Sequence, residues 1–453
     1  MEWVTDTNAA LLTDLYELTM SSSYHAHGMN AEATFDLFVR ETPPERNFLV
    51  ACGLEEALSF LESLSFDEGA IEYLASQRLF DESFLERLSS LRFTGEVRAV
   101  REGEIVFGRE PLLSVTAPLI EAQLVETFLL NCVSFQTMIA SKAARVHIVC
   151  GEHPFVDYSA RRDHGADAAL KAARAAYVGG ASGTSNVLAG RVYGIPISGT
   201  MAHSYVMAFE DELEAFRRFC RDYPTRAVLL IDTFDVEEGA RKAVRVAQEL
   251  GPEGVRIRGV RIDSGSLAPL ARSVRKILDE GGLDDVLIIL SGDLDEFRIK
   301  RLLDDDVPAD QFGVGTQMGT SGDAPWMGSV YKLVAQGGEP KMKLSTGKAT
   351  LPGRKQIHRF FDGDRLDHDV IALEDESIGG RGLLSCVMAD GRRLAGPEPL
   401  GDVRLRCLEG LAALPDALRS LEPAPRYPVR ESEQLSSLVT TMKRHAGVHE
   451  TQP

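Results

Sequence analysis

The spacing of apolar positions along this chain changes character near residue 147. Before that point helical and alternating stretches are mixed. Leu11–Met20 carries apolar residues at helical spacing, with Thr and Asp near its start. Ala33–Arg40 alternates apolar and polar residues, which predicts a half-buried strand, and Pro43-Pro44 stops it. Gly53–Leu58 opens a further helix, and Phe66–Leu91 reads as a helical pair. Glu96–Leu119 holds short strand-like runs broken by Gly103, Gly108 and Pro111, before a long helix from Ile120 to about Val146. Residues 1–146 therefore predict an N-terminal α+β domain.

From residue 147 to 336, apolar runs alternate with amphipathic helices. The runs are Phe155–Ser159, Ala176–Gly180, Ile195–Met201, Ala227–Phe234, Val260–Ser264, Val286–Ser291, Gln311–Thr316 and Val330–Val334. Helical patterns fall at Tyr205–Arg217, Val236–Leu250, Leu267–Glu280 and Leu294–Asp304. Such alternation predicts an α/β barrel or a doubly wound sheet. About eight runs over roughly 190 residues favour an irregular, compact (β/α) barrel. Residues 337–453 begin with the Gly/Pro/Lys-rich Gly337–Arg354 and continue with strand-like Gln356–Phe361 and Leu383–Met388. A helical tail, Ser432–His445, follows, with fraying expected from Ala446. This C-terminal segment is expected to pack on the N-terminal domain.

Composition narrows the function classes. With 44% hydrophobic and 26% charged residues the chain has the balance of a globular protein, and its net charge of -19 argues against nonspecific nucleic-acid binding. No apolar run reaches the roughly 18 residues of a membrane span, and the N-terminus lacks the basic and apolar regions of a signal peptide. The six cysteines are scattered without a CxxC pair, which points to free thiols and a cytoplasmic location.

Polar or glycine-bracketed residues stand at one end of nearly every run in the barrel-like region, where a barrel places its active site. These ends are Tyr158 with Arg161, Ser185, Thr200 with His203, Arg261 with Asp263, Ser264 and Gly265, Ser291-Gly292-Asp293, and Gly313, Gly315 and Thr316. The glycine turns could bind phosphate through backbone N–H groups or simply make turns. Arg161 and Arg261 suit phosphate or carboxylate, and equally a surface ion pair. Asp232, Asp263 and Asp293 could serve Mg²⁺ carried by a phosphate, or cap strand ends. Tyr16 and Tyr158 could stack a flat ring or fill a core. Lys343, Lys348 and Lys355, set among glycines, suit either a phosphate-contacting loop or a solvated surface.

Several stretches together carry a resemblance. They are Thr13–Met20, Gly183-Thr184-Ser185-Asn186-Val187-Leu188-Ala189-Gly190, Ser198-Gly199-Thr200-Met201-Ala202-His203-Ser204, Arg261-Ile262-Asp263-Ser264-Gly265, Lys343–Ser345 and Lys348–Gly353. Over about residues 11–361 the chain resembles the nicotinate phosphoribosyltransferase family. The resemblance implies a type II phosphoribosyltransferase barrel. It implies transfer of 5-phosphoribose from phosphoribosyl pyrophosphate to nicotinate in NAD salvage, with Mg²⁺, and with ATP coupled through phosphorylation at His203. It assigns Tyr158 to pyridine stacking, with Arg161 beside it, and Arg261 and Asp263 to the ribose and base side. Gly292, Asp293, Gly313 and Gly315 fall to the 5-phosphate. Tyr16 matches a residue supplied by a second subunit, which implies a homodimer with shared active sites. Nicotinamide-using relatives carry aspartate where Ser185 stands, so the acid is the expected base. Nicotinamide transfer, or a non-catalytic nucleotide-sensing barrel, are the alternatives. Tyr158 and Ser159 depart from the commoner family wording, which has Phe and Gly there.

Overall fold

The computed structural model describes residues 4–345 and 350–445, so Lys348 and the tail from Ala446 lie outside the described residues. The chain forms two compact units, residues 1–138 with 326–453, and residues 139–325. The first division falls inside the helix Glu126–Cys150, earlier than the expected boundary at 146. The second comes before residue 336 for a reason visible in the sheets.

In the first unit a seven-stranded sheet runs in the order Glu339–Pro340, Ser329–Gln336, Glu32–Val39, Pro111–Pro118, Glu96–Val100, Leu384–Ala389, Arg392–Arg393. The run at Val330–Val334, expected as a barrel strand, instead pairs antiparallel with Glu32–Val39. An alternating pattern fits an edge of either sheet, and the sequence around it does not name its partner. Glu32–Val39 is itself buried on both faces rather than half-buried. Its polar positions find partners inside: the Thr34 and Thr116 hydroxyls bond at 2.9 Å, and Asp36 Oδ2 pairs with Lys355 Nζ at 2.8 Å, while Asp36 Oδ1 is buried without a hydrogen-bond partner among the described residues. Lys355 is thus a buried structural cation at the start of the strand Lys355–Asp362, also bonded to the Leu351 carbonyl at 2.9 Å. It is not a loop lysine. Lys343 is exposed.

In the second unit six parallel strands lie in the order Gly183–Thr184, Phe155–Asp157, Gln311–Val314, Leu287–Leu290, Gly259–Ile262, Val228–Leu230. The run at Ile195–Met201 forms no named strand, yet it touches both outer strands. Ile197 bridges Thr184 in parallel, and the Thr200 hydroxyl donates to the Val228 carbonyl. The sheet is therefore curled into an irregular half-barrel. Ala176–Gly180, expected as a strand, is the end of the helix Ala166–Val178, because its alanine-rich approach favours a helix that stops at Gly179. The strand that follows is the two-residue Gly183–Thr184.

The helices Val236–Leu250 and Leu267–Glu280 match the expected bounds, and Asp235 caps the former by accepting from Glu238 N at 2.9 Å. The pattern over Tyr205–Arg217 resolves into His203–Met207 and Glu212–Asp222. The helix Glu296–Asp304 is tied down by Glu296, a fully buried carboxylate held by Lys142 at 2.6 Å and Arg145 at 2.9 Å. Among the described residues no helix is long and apolar enough to cross a membrane.

Candidate active site

The carboxyl ends of the parallel strands bring most of the expected residues together. Asp157 closes the strand Phe155–Asp157 and is almost fully buried. Its carboxylate accepts from Ser159 N at 2.9 Å and Thr184 Oγ1 at 2.8 Å, while burial pushes its pKa up. Tyr158 follows. Its N–H donates to the Val314 carbonyl at 2.8 Å, and its ring lies so close to Gly313 that a Cβ there would sit 2.5 Å from the ring edge. The Arg261 guanidinium lies 5.9 Å from the centre of that ring. Burial raises the Tyr158 phenol pKa, and the Arg261 charge opposes that shift. Arg261 also stands 3.7 Å from Asp263 Oδ1, the oxygen that accepts the Ser291 hydroxyl at 2.5 Å. Arg261 Nε is buried and has no acceptor among the described residues. A ring, a guanidinium and a carboxylate thus converge at neighbouring strand ends.

A second group centres on Asp232, just past the strand Val228–Leu230. Its Oδ2 accepts from Asp263 N at 3.0 Å and Ser264 Oγ at 2.6 Å. Its Oδ1 is buried without a hydrogen-bond partner among the described residues, and lies 4.0 Å from His203 Nε2. His203 opens the helix His203–Met207 with its side chain 39% exposed, and its Nδ1 bonds the Thr233 hydroxyl at 3.1 Å. The histidine is therefore oriented by a hydroxyl on one nitrogen and faces a buried carboxylate with the other, while remaining open to solvent. The sequence offers Asp232 for Mg²⁺ carried by a phosphate or for strand-end capping, and gives Thr233 no role. Asp232 stood at the right end of a run, but the bonds that give it a role come from the neighbouring strand.

Between these groups the backbone makes a tight turn at Ser291-Gly292-Asp293. Gly292 has φ +96°, and a Cβ on it would overlap the Asp263 carbonyl oxygen, so only glycine fits. Asp293 follows with φ +50°, and Arg298 Nη1 donates to its carbonyl at 2.9 Å. Asp263, Ser264, Gly265, Gly292 and Asp293 line a cleft of about 590 Å³. Gly315 and Thr316 open the short helix Thr316–Gly319, and Gly315 lies against the Tyr158 carbonyl.

Among the described residues no side-chain hydrogen bond ties the other expected residues to these groups. Arg161 and Ser185 are exposed, and Ser185 N donates to the Asp157 carbonyl at 2.9 Å. The Thr200 hydroxyl is engaged by the Val228 carbonyl. Tyr16 belongs to the first unit, on the helix Leu15–Ala26, where it is 46% exposed. Beside it Glu17 is buried, accepting from Thr127 Oγ1 at 2.6 Å, and burial pushes its pKa up to about 7.

A curled parallel sheet with glycine turns, an arginine–carboxylate pair and a histidine gathered at its carboxyl end defines an α/β half-barrel with its polar groups where such folds place their sites. Residues 11–134 match the model of the nicotinate phosphoribosyltransferase N-terminal domain, and residues 154–334 that of the nicotinate phosphoribosyltransferase family. The chain is 44% identical to the nicotinate phosphoribosyltransferase pncB2 of Mycobacterium tuberculosis, covering 98% of this chain and 96% of that protein. It is 43% identical to the Bacillus subtilis nicotinate phosphoribosyltransferase, over 82% and 78% of the two chains. The crystal structure of human nicotinic acid phosphoribosyltransferase superposes with a TM-score of 0.86 at 30% identity, covering 95% of this chain and 99% of that one. The chain belongs to the nicotinate phosphoribosyltransferase family.

Proposed function

We propose that this protein transfers 5-phosphoribose from phosphoribosyl pyrophosphate to the ring nitrogen of nicotinate, releasing pyrophosphate, with ATP hydrolysis coupled through phosphorylation of His203. The observation that carries the reading is the convergence of Tyr158, Arg261 and Asp263 beside the Gly292 turn, in a chain of this family. Breaking the bond between C1 of the ribose and pyrophosphate builds positive charge on the sugar. Asp263, fixed by Ser291, is the carboxylate that offsets it. The pyridine nitrogen is already a nucleophile, so no strong base is required and orientation carries the rate. Tyr158 supplies the flat face for the base. Arg261, with its unpartnered Nε, supplies a donor for an anionic substrate group. Ser185 can donate to a carboxylate, which favours the acid over its amide.

The unfilled Asp232 Oδ1 suits a phosphorylatable histidine: it can take the proton of the His203 nitrogen that faces it and so hold the ring during phosphate transfer. Mg²⁺ fits this donor set as an ion carried by pyrophosphate. Asp232 and Asp263, linked through the Asp263 N–H, would bond the waters of such an ion. When bound, Mg²⁺ neutralises charge on the leaving pyrophosphate. Tyr16, exposed on its own subunit, is the residue a second copy would contribute, giving a homodimer with shared sites in NAD salvage in the cytoplasm.

The test is transfer from labelled phosphoribosyl pyrophosphate with nicotinate and nicotinamide offered in parallel, with and without Mg-ATP. Turnover of nicotinate, stimulated by ATP and losing that stimulation in His203→Ala, is the expected result. Preference for nicotinamide would reject the role of Ser185. Tight phosphoribosyl pyrophosphate binding without transfer to either base would make the chain a nucleotide sensor.

A further inference from the structure

The turn that leaves Tyr158 is closed by an acid that neither the barrel pattern nor the family resemblance singles out. Asp163 Oδ2 accepts the Ser159 hydroxyl at 3.0 Å, and the Ser159 carbonyl accepts both Arg162 N at 2.7 Å and Asp163 N at 3.2 Å. The other carboxylate oxygen, Oδ1, is buried with no hydrogen-bond partner among the described residues. It presses on Gly319, where an added Cβ would overlap it. Gly319 ends the short helix that begins directly after Gly313 and Gly315. One carboxylate is therefore wedged between the turn bearing Tyr158 and Arg161 and the segment following the second glycine turn.

The charged groups facing Asp163 are few. Asp157 repels its carboxylate form and His164 favours it, while the helix Thr316–Gly319 brings no charged side chain. Burial, the largest effect, pushes the Asp163 pKa up to about 6. Above that pH a carboxylate takes a charge-assisted bond from Ser159. Below it the added proton weakens the bond and loosens the turn.

We propose that Asp163, clasped to Ser159 and wedged on Gly319, is a positioning residue that holds the Tyr158 ring in register with the glycine turn at Gly313 and Gly315. The proposal rests on the nicotinate-transfer reading above. Asp163 touches no reacting atom. Its effect is on how well the free enzyme presents the pyridine platform.

Steady-state kinetics of Asp163→Asn and Ser159→Ala from pH 5.5 to 8 test it. At pH 7.5 the KM for nicotinate rises about ten-fold in Asp163→Asn, while kcat and the KM for phosphoribosyl pyrophosphate change less than about two-fold. In the unmutated protein the nicotinate KM climbs as pH falls through about 6, and in Asp163→Asn it stays flat. Ser159→Ala reproduces the shift, and the double variant adds nothing, because both substitutions remove the same bond. An unchanged nicotinate KM in either single variant, additive shifts in the double variant, or an unaltered pH profile overturns the proposal. Failure of the unmutated protein to transfer phosphoribose to nicotinate overturns the functional reading itself, and shows in the control alone.

Discussion

At Asp232 one carboxylate oxygen has two hydrogen-bond partners and the other has none among the described residues. The bonded oxygen accepts from Asp263 N and Ser264 Oγ, so it fixes the strand end that presents Asp263. The free oxygen faces His203. Asp232→Asn keeps the size but replaces one acceptor with an amide donor, which lets the side chain serve only one side. ATP-stimulated transfer should fall about 10- to 100-fold, more than the unstimulated rate, in parallel assays. Glu17 makes a different case. Its pKa is raised to about 7, so its favourable share of folding energy is full below about pH 4.3 and is lost as pH rises through 7. Glu17→Gln should flatten the fall in melting temperature between pH 5 and 8, as read by differential scanning calorimetry. A fall as steep as in the unmutated protein would place the ionisation elsewhere. Asp232 is legible as a carboxylate at a run end, but its partners come from the strand beside it, and Glu17 takes its environment from the distant Thr127.

Among elements, those fixed by local chemistry were legible. Val236–Leu250 repeats apolar positions at helical spacing behind a capping aspartate, and no distant residue is needed to know it. The glycine turns were legible as turns, but their purpose rests on what lies across from them. Gly292 is required because the Asp263 carbonyl occupies the space a Cβ would need. Gly292→Ala should therefore raise the KM for phosphoribosyl pyrophosphate at least ten-fold. It should also destabilise the fold by about 1–3 kcal/mol, measured by kinetics and urea unfolding together. Elements whose identity depends on pairing were misread. Ala176–Gly180 has the small residues of a buried strand, yet it ends a helix. Val330–Val334 alternates correctly but joins the other sheet.

For the whole molecule, the buried pair Asp36–Lys355 joins residues more than three hundred positions apart within the first unit. Burial lowers the Lys355 pKa, and the Asp36 carboxylate opposes that shift. Lys355→Met strands Asp36 in the sheet interior and should cost about 3–5 kcal/mol, lowering the thermal midpoint. Asp36→Leu added to it should recover most of that loss. If the single variant melts like the unmutated protein, the pair does not hold the sheet.

The interrupted course of the first unit has a consequence for synthesis. Glu32–Val39 leaves the ribosome early, but the strand that covers one of its edges, Ser329–Gln336, is made almost three hundred residues later. Throughout that interval the contiguous 139–325 segment is translated in full, while the N-terminal sheet still lacks a neighbour beside Phe35 and Leu37. An unpaired apolar strand edge is a template for pairing between chains. Nascent chains stalled before residue 329 are thus the form of this protein most exposed to aggregation and most in need of a chaperone, whatever the stability of the finished enzyme.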